Sequence, residues 1–172
     1  NPSITQALMK QGLEVIDGVT IAESARVIKS PDEINCIRWS IAVAEHGISM
    51  LKKALKPGIR ETQLWGLLNY ANLANHGHWH EGRMLASGDR INPWYQEATQ
   101  RKVEAGDLVG FDTDMVGPNG YFADVSRTFF CGSNKHRQPS KRQKQLYRLA
   151  VEEIEHNLAL FRPGLSFDDF QQ

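Results

Sequence analysis

Hydrophobic positions recur along this chain at two different periods, and the change from one to the other divides it. Residues 4–12 carry a short helical pattern, and Leu13–Asp17 fits the end of a strand. A stronger signal starts at Ser30: Ser30 is a capping residue, Pro31 takes the first helical position, and Glu33 completes a capping box. Ile34, Ile37, Ile41, Ala44, Ile48, Leu51 and Leu55 then share one stripe, which stops at Lys56-Pro-Gly58. A second helix is expected from about Arg60 to Asn75, with Leu64, Leu67, Leu68 and Ala71 inward and Gly77 ending it. Trp39 and Trp65 lie on helical stripes and are assigned to the core.

From Trp79 to about Phe130 the period shortens. Met84-Leu-Ala-Ser87 reads as a strand before a Gly88-Asp89 turn. The segments Asp107–Asp114 and Tyr121–Phe130 read as two strands joined by Val116-Gly-Pro-Asn-Gly120, a loop of turn formers. A basic, polar stretch from Ser133 to Lys144 leads into an amphipathic helix, Leu146–Phe161, stopped by Arg162-Pro-Gly164. Helix, helix, strands, helix is the order of an α+β layer with an antiparallel sheet.

Composition narrows the function. Twenty acidic residues balance twenty basic ones, so no global field points to nucleic acid or an anionic membrane surface. No apolar run approaches the roughly 20 residues of a membrane span. Cys36 and Cys131 are too few and too scattered for a disulfide framework or a thiolate metal site, and are read as reduced core thiols of a cytoplasmic protein. The start lacks a Met, and Ser166-Phe-Asp-Asp-Phe-Gln-Gln172 reads as a helix just beginning, so the expectation is a fragment.

The chemistry concentrates in the two predicted strands. Asp112 and Asp114 are two apart, so on a strand both side chains leave one face, while Val109, Phe111 and Thr113 take the other. Asp124 lies on the return strand, where a hairpin brings it beside them. Crowded carboxylates repel one another, and a hard cation removes that cost, since oxygen donors suit Mn, Mg, Ca or Fe(II). The bland alternatives are a solvated Asp-x-Asp or a carboxylate neutralised by Arg127; the apolar run around Asp124 argues against plain solvation. His76, His78 and His80 alternate around Gly77 and Trp79, and are assigned to a loop or pocket rim. The basic cluster Lys135, Arg137, Lys141, Arg142 and Lys144 is assigned to solvent.

Gly106-Asp-Leu-Val, Phe111-Asp112 and Gly120-Tyr-Phe-Ala-Asp124-Val-Ser-Arg-Thr-Phe129 together resemble the metal hairpin of the pita-bread family, which includes methionine and proline aminopeptidases, prolidase and creatinase. Residues 22–34 and Lys56-Pro-Gly-Ile-Arg-Glu61 are similar to its prolidase-like branch. The resemblance implies a pita-bread fold with a curved antiparallel sheet flanked by helices. It implies that 1–20 end an N-terminal domain or linker and that 21–172 begin the catalytic domain. It also implies a site for two divalent metals, Asp112 and Asp124 supplying the first ligands and a His and two Glu following beyond residue 172. A homodimer is the expected assembly.

Two departures point to a branch. The peptidases carry a His 17–21 residues before the first aspartate, where this chain reads Asn92-Pro-Trp-Tyr-Gln-Glu97. Asp114 adds a carboxylate where common members are neutral. Both features resemble the bacterial dimethylsulfoniopropionate (DMSP) lyase branch, of the DddP type, which implies Asp114 as a third metal ligand and iron as the metal, with Mn, Zn or Co as alternatives. The implied substrate is a small zwitterion, with a carboxylate held by metal and a sulfonium favoured by aromatic walls; Trp94 and Tyr95 are the candidates. The resemblance places the general base beyond residue 172. The competing expectations are an Xaa-Pro metallopeptidase and a pita-bread binding protein without catalysis.

Overall fold

A computed structural model describes residues 2–166 and 168–171, without the side chains of 170 and 171. Helices α1 (Pro2–Lys10) and α2 (Val19–Val27) contain no buried residue, and Leu13–Asp17 between them is irregular rather than a strand end. Among the described residues no strand pairs with this segment, so its hydrophobic residues alone cannot make it a strand.

Helix α3 (Pro31–Ala54) starts as the local signal demands: Glu33 N donates to Ser30 Oγ at 3.3 Å, and Ser30 N donates to Glu33 Oε2 at 2.7 Å. Its buried face is Ser40, Val43, Ala44, Gly47, Ile48 and Leu51. Ile34 and Trp39 lie before this face and are exposed, and Ile41 at its start is exposed too; from Ser40 on, the helix runs along α4 (Glu61–Ala74) and the sheets. In α4, Leu64, Trp65, Leu68 and Ala71 are buried, whereas Leu67 is half-buried. The helix ends at Ala74, and His76, not Gly77, takes the left-handed conformation that turns the chain. A Cβ on Gly47 would meet the Ala71 Cβ at 3.0 Å, so this glycine sets how closely α3 lies on α4.

Among the described residues six short strands follow: β1 (Trp79–His80), β2 (Leu85–Ser87), β3 (Leu108–Phe111), β4 (Met115–Val116), β5 (Phe122–Ala123) and β6 (Arg127–Phe130). They form two antiparallel three-stranded sheets, β1-β4-β5 and β2-β3-β6. The two strands expected over 107–114 and 121–130 are thus each broken in two. Ile48, Leu51, Leu64, Trp65, Leu68, Leu85, Val109 and Phe111 form the main core, with α3 and α4 on one sheet face. The hairpin turn, a 3-10 turn at Pro118–Gly120, sits against α3; a Cβ on Gly117 would lie 2.4 Å from Ser40 Oγ. Cys131 is buried as expected, but Cys36 is only partly so, on the α3 surface beside Asn119.

Helix α5 (Lys141–Leu160) starts five residues before the expected Leu146. The signal was Ser140 with Gln143, which form a reciprocal cap; the basic first turn disguised it as loop. At the expected helix start near 166, Ser166 and Asp169 cap each other and Asp168–Gln171 forms a 3-10 turn, while Phe167 and Gln172 lie outside the described residues. Among the described residues no helix is long and apolar enough to cross a membrane.

Candidate metal centre

Three breaks in three strands fall at one level. Residues 81–84 separate β1 from β2, 112–114 separate β3 from β4, and 124–126 separate β5 from β6. Register is kept across the gap, since Phe111 faces Arg127 and Met115 faces Ala123. The unpaired stretch therefore sets Asp114 opposite Asp124 and Asp112 one diagonal step away, a spacing at which side chains meet. On the other side, Asp112 N donates to Met84 O at 2.9 Å and Glu81 N to Asp114 O at 3.0 Å.

The structure brings the three aspartates of the sequence analysis together: one oxygen from each lies within 4.8 Å of the other two. Asp112 and Asp114 are half-buried and Asp124 is exposed. Asp114 adopts φ 37°, a left-handed conformation that aspartate tolerates better than most residues and that collects at functional sites. The expectation of Asp112 and Asp114 side by side on one continuous strand is corrected: convergence comes from the break, not from the pleat. Arg127 neutralises none of the three, because its guanidinium turns to Glu45 on α3 at 2.5 Å.

Electrostatics record the crowding. A hydrogen bond with Asp112, then burial, then the charges of Asp112 and Asp114, push the Asp124 carboxyl up to about 6. Asp114 is raised by burial first and then by Asp112 and Glu81, with His80 opposing. Asp112 Oδ1 is buried without a hydrogen-bond partner. An orphaned oxygen among converging carboxylates fits a hard cation, which would satisfy it and cancel the repulsion.

A pH dependence follows. Asp124 is raised above its unfolded value, so its contribution to stability is full at low pH and is lost as pH rises through about 6. In chelator, the melting temperature of wild type relative to Asp124→Asn should fall from about pH 4 upward. Mn2+ affinity should weaken as pH drops through about 6, because a proton competes for the same carboxylate. An affinity flat across that range would contradict this electrostatic reading.

His80 is a neighbour that sequence reasoning missed. Pairing of β1 with β4 sets it opposite Met115, its Nδ1 lies 2.6 Å from the Thr113 carbonyl, and its charge couples to Asp114. Burial lowers its pKa against the pull of the Thr113 and Leu68 carbonyls and Asp114. The Trp94 ring comes within 3.5 Å of where a Cβ on Gly110 would stand. Gly110 is two residues before Asp112, so Trp94 covers the strand face that leads to the carboxylates. Tyr95 is 79% exposed, its ring 6.4 Å from that of Trp94.

Residues 35–172 match the metallopeptidase family M24, and the chain belongs to that family. Its fold is the pita-bread fold: a putative aminopeptidase P from Bacillus anthracis superimposes with a TM-score of 0.83 at 25% identity, over 96% of this chain and 39% of that one. Among curated proteins, the dimethylsulfoniopropionate lyase DddP of Roseobacter denitrificans is 34% identical over 167 residues, covering 93% of this chain and 36% of that protein. The Xaa-Pro dipeptidase of Pyrococcus furiosus is 24% identical over 147 residues, covering 85% of this chain and 40% of that one. The chain thus spans about two-fifths of the length of these relatives.

Proposed function

We propose that this chain carries the aspartate half of a two-metal site in a lyase that cleaves dimethylsulfoniopropionate to dimethyl sulfide and acrylate. The observation that carries the reading is the third carboxylate, Asp114, whose oxygen joins those of Asp112 and Asp124 within 4.8 Å. Two further features support it. The sequence is more similar to DddP than to the Xaa-Pro dipeptidase, and Trp94 stands over the strand in the stretch where peptidases are expected to hold a His.

Asp112, Asp114 and Asp124 would hold the metals, iron or another divalent ion, with ligands from outside this chain. Bound metal supplies positive charge that holds the substrate carboxylate and stabilises charge developing beside it. The protein's own work is then geometric. The broken strands aim three anions at one point, and Trp94 and Tyr95 offer π faces to a sulfonium, an attraction worth roughly 0.5–2 kcal/mol. In the elimination a base takes the proton next to the carboxylate, the electron pair forms the C=C bond, and the C–S bond breaks. Dimethyl sulfide leaves neutral, so no acid is needed.

The second reading is an Xaa-Pro metallopeptidase, favoured by the family and by the prolidase and aminopeptidase P folds it matches. Asp114→Asn separates the two. If Asp114 is a lyase ligand, losing its charge should lower metal content and reduce dimethyl sulfide release at least about tenfold, or 1.4 kcal/mol. Full-length wild type that hydrolyses an Xaa-Pro dipeptide and releases no dimethyl sulfide would overturn the lyase reading.

A further inference from the structure

We propose that Thr113 is the positioning residue of the carboxylate cluster, its hydroxyl standing in for the missing backbone rung between the two aspartate-bearing strands. The inference rests on the reading of that cluster as a metal centre.

Between the β3–β6 and β4–β5 ladders no backbone pairs cross from 112–114 to 124–126, although register is kept. The Thr113 side chain crosses the gap to the backbone of the other strand. Thr113 Oγ1 donates to the Ala123 carbonyl at 2.7 Å and accepts from Val125 N at 2.9 Å. Those two groups belong to the peptide units on either side of Asp124. Holding both planes from a single oxygen fixes the backbone dihedrals of Asp124, and with them the direction of its carboxylate. Thr113 itself is 0% exposed, and its carbonyl meets His80 Nδ1 at 2.6 Å. Asp112 and Asp114, its neighbours, are tied by backbone bonds to Met84 and Glu81. Thr113 is therefore where the strand of Asp112 and Asp114 is joined to that of Asp124.

A continuous ladder would leave these strands at ordinary sheet spacing with every backbone group paired to its partner. A hydroxyl between them satisfies one donor and one acceptor while leaving the strands free to splay and converge their carboxylates. The use of both hydroxyl roles explains why a polar side chain is buried on the core face beside Val109 and Phe111.

The test is a Mn2+ titration of full-length wild type, Thr113→Val and Thr113→Ser, with melting temperatures measured in chelator and the absorption bands of bound Co2+ as a signature of coordination. Thr113→Val keeps the shape and removes both hydrogen bonds, and should weaken Mn2+ binding at least about tenfold and shift the Co2+ bands. Thr113→Ser keeps the hydroxyl and loses a packed methyl, so metal-free stability should drop while Mn2+ affinity stays within about threefold of wild type and the bands are unchanged. Should Thr113→Val fail to fold, Thr113→Ser decides: affinity falling in step with stability means a merely structural residue. Wild-type affinity and Co2+ bands in Thr113→Val would overturn the inference alone. Wild type that binds neither ion would overturn the metal-centre reading and this inference with it.

Discussion

Replacing Asp124 with alanine should strip the full-length protein of most of its bound metal while making the metal-free protein more stable at neutral pH. The two effects have one cause. Asp124 stands opposite Asp114 and diagonal to Asp112, so it feels both charges, and its carboxyl is pushed up to about 6 in consequence. With metal bound that arrangement would be an asset, because three converging carboxylates would share in holding the positive charge. Without metal it is a liability, because like charges are held together with no counter-ion; Arg127, the nearest guanidinium in sequence, is engaged with Glu45. A loss of metal affinity of at least about 100-fold, near 2.7 kcal/mol, is expected. A carboxylate standing apart from other charges would show neither effect, and an aspartate in a structural ion pair would show destabilisation in the absence of metal. Metal analysis and chemical denaturation in chelator measure both, and full metal content in Asp124→Ala would dispose of the site assignment.

What was legible in the sequence was local. The Ser30-Pro31-Asp32-Glu33 start is a signal contained in four residues, and the structure builds the cap that those residues dictate. The carboxylates were legible as a cluster because hairpin return is a short-range consequence of the Val116–Gly120 turn. The break in the strands was not. No Gly or Pro stands between Phe111 and Asp114 to mark an end, and what interrupts the strand is bonding of Asp112 and Asp114 to residues 81–84, some 30 positions upstream. His80 was set aside for the same reason: its place beside Asp114 arises only when β1 pairs with β4. Trp39 failed in the opposite sense. Helical spacing identifies a stripe but not how far along the helix it is covered, and the buried positions of α3 begin only at Ser40.

The largest loss of stability should follow from Glu61→Ala, a position at which sequence offered only an acid at the start of a helix. Glu61 is 0% exposed and takes donors on both oxygens. Oε1 accepts from Ser87 N at 2.9 Å and Ser87 Oγ at 2.7 Å; Oε2 accepts from Thr99 N at 3.0 Å, Thr99 Oγ1 at 2.8 Å and the Arg90 guanidinium. Burial alone would raise its pKa, yet the Ser87, Thr99 and Arg90 donors outweigh that and hold it below the usual glutamate range. Its stabilisation is therefore present above the ordinary glutamate pKa and is lost as pH falls through the lowered one. The bonds tie the first turn of α4 to β2 and to Thr99, at the two ends of the segment that carries Trp94 and Tyr95. Alanine leaves Ser87 N and Thr99 N without their acceptor and Arg90 without its counter-ion, a loss of about 3–5 kcal/mol. Glutamine keeps the Oε1 acceptor but presents N–H groups to the Arg90 and Thr99 donors, so its cost should fall between that of alanine and wild type. The contrast is Glu97→Ala, which breaks the Arg83–Glu97 pair, whose side chains are 58% and 54% exposed, and should cost less than about 1 kcal/mol. Urea midpoints for the three variants measure the order, and a Glu61→Ala protein no less stable than Glu97→Ala would show that the buried carboxylate does not hold this segment in place.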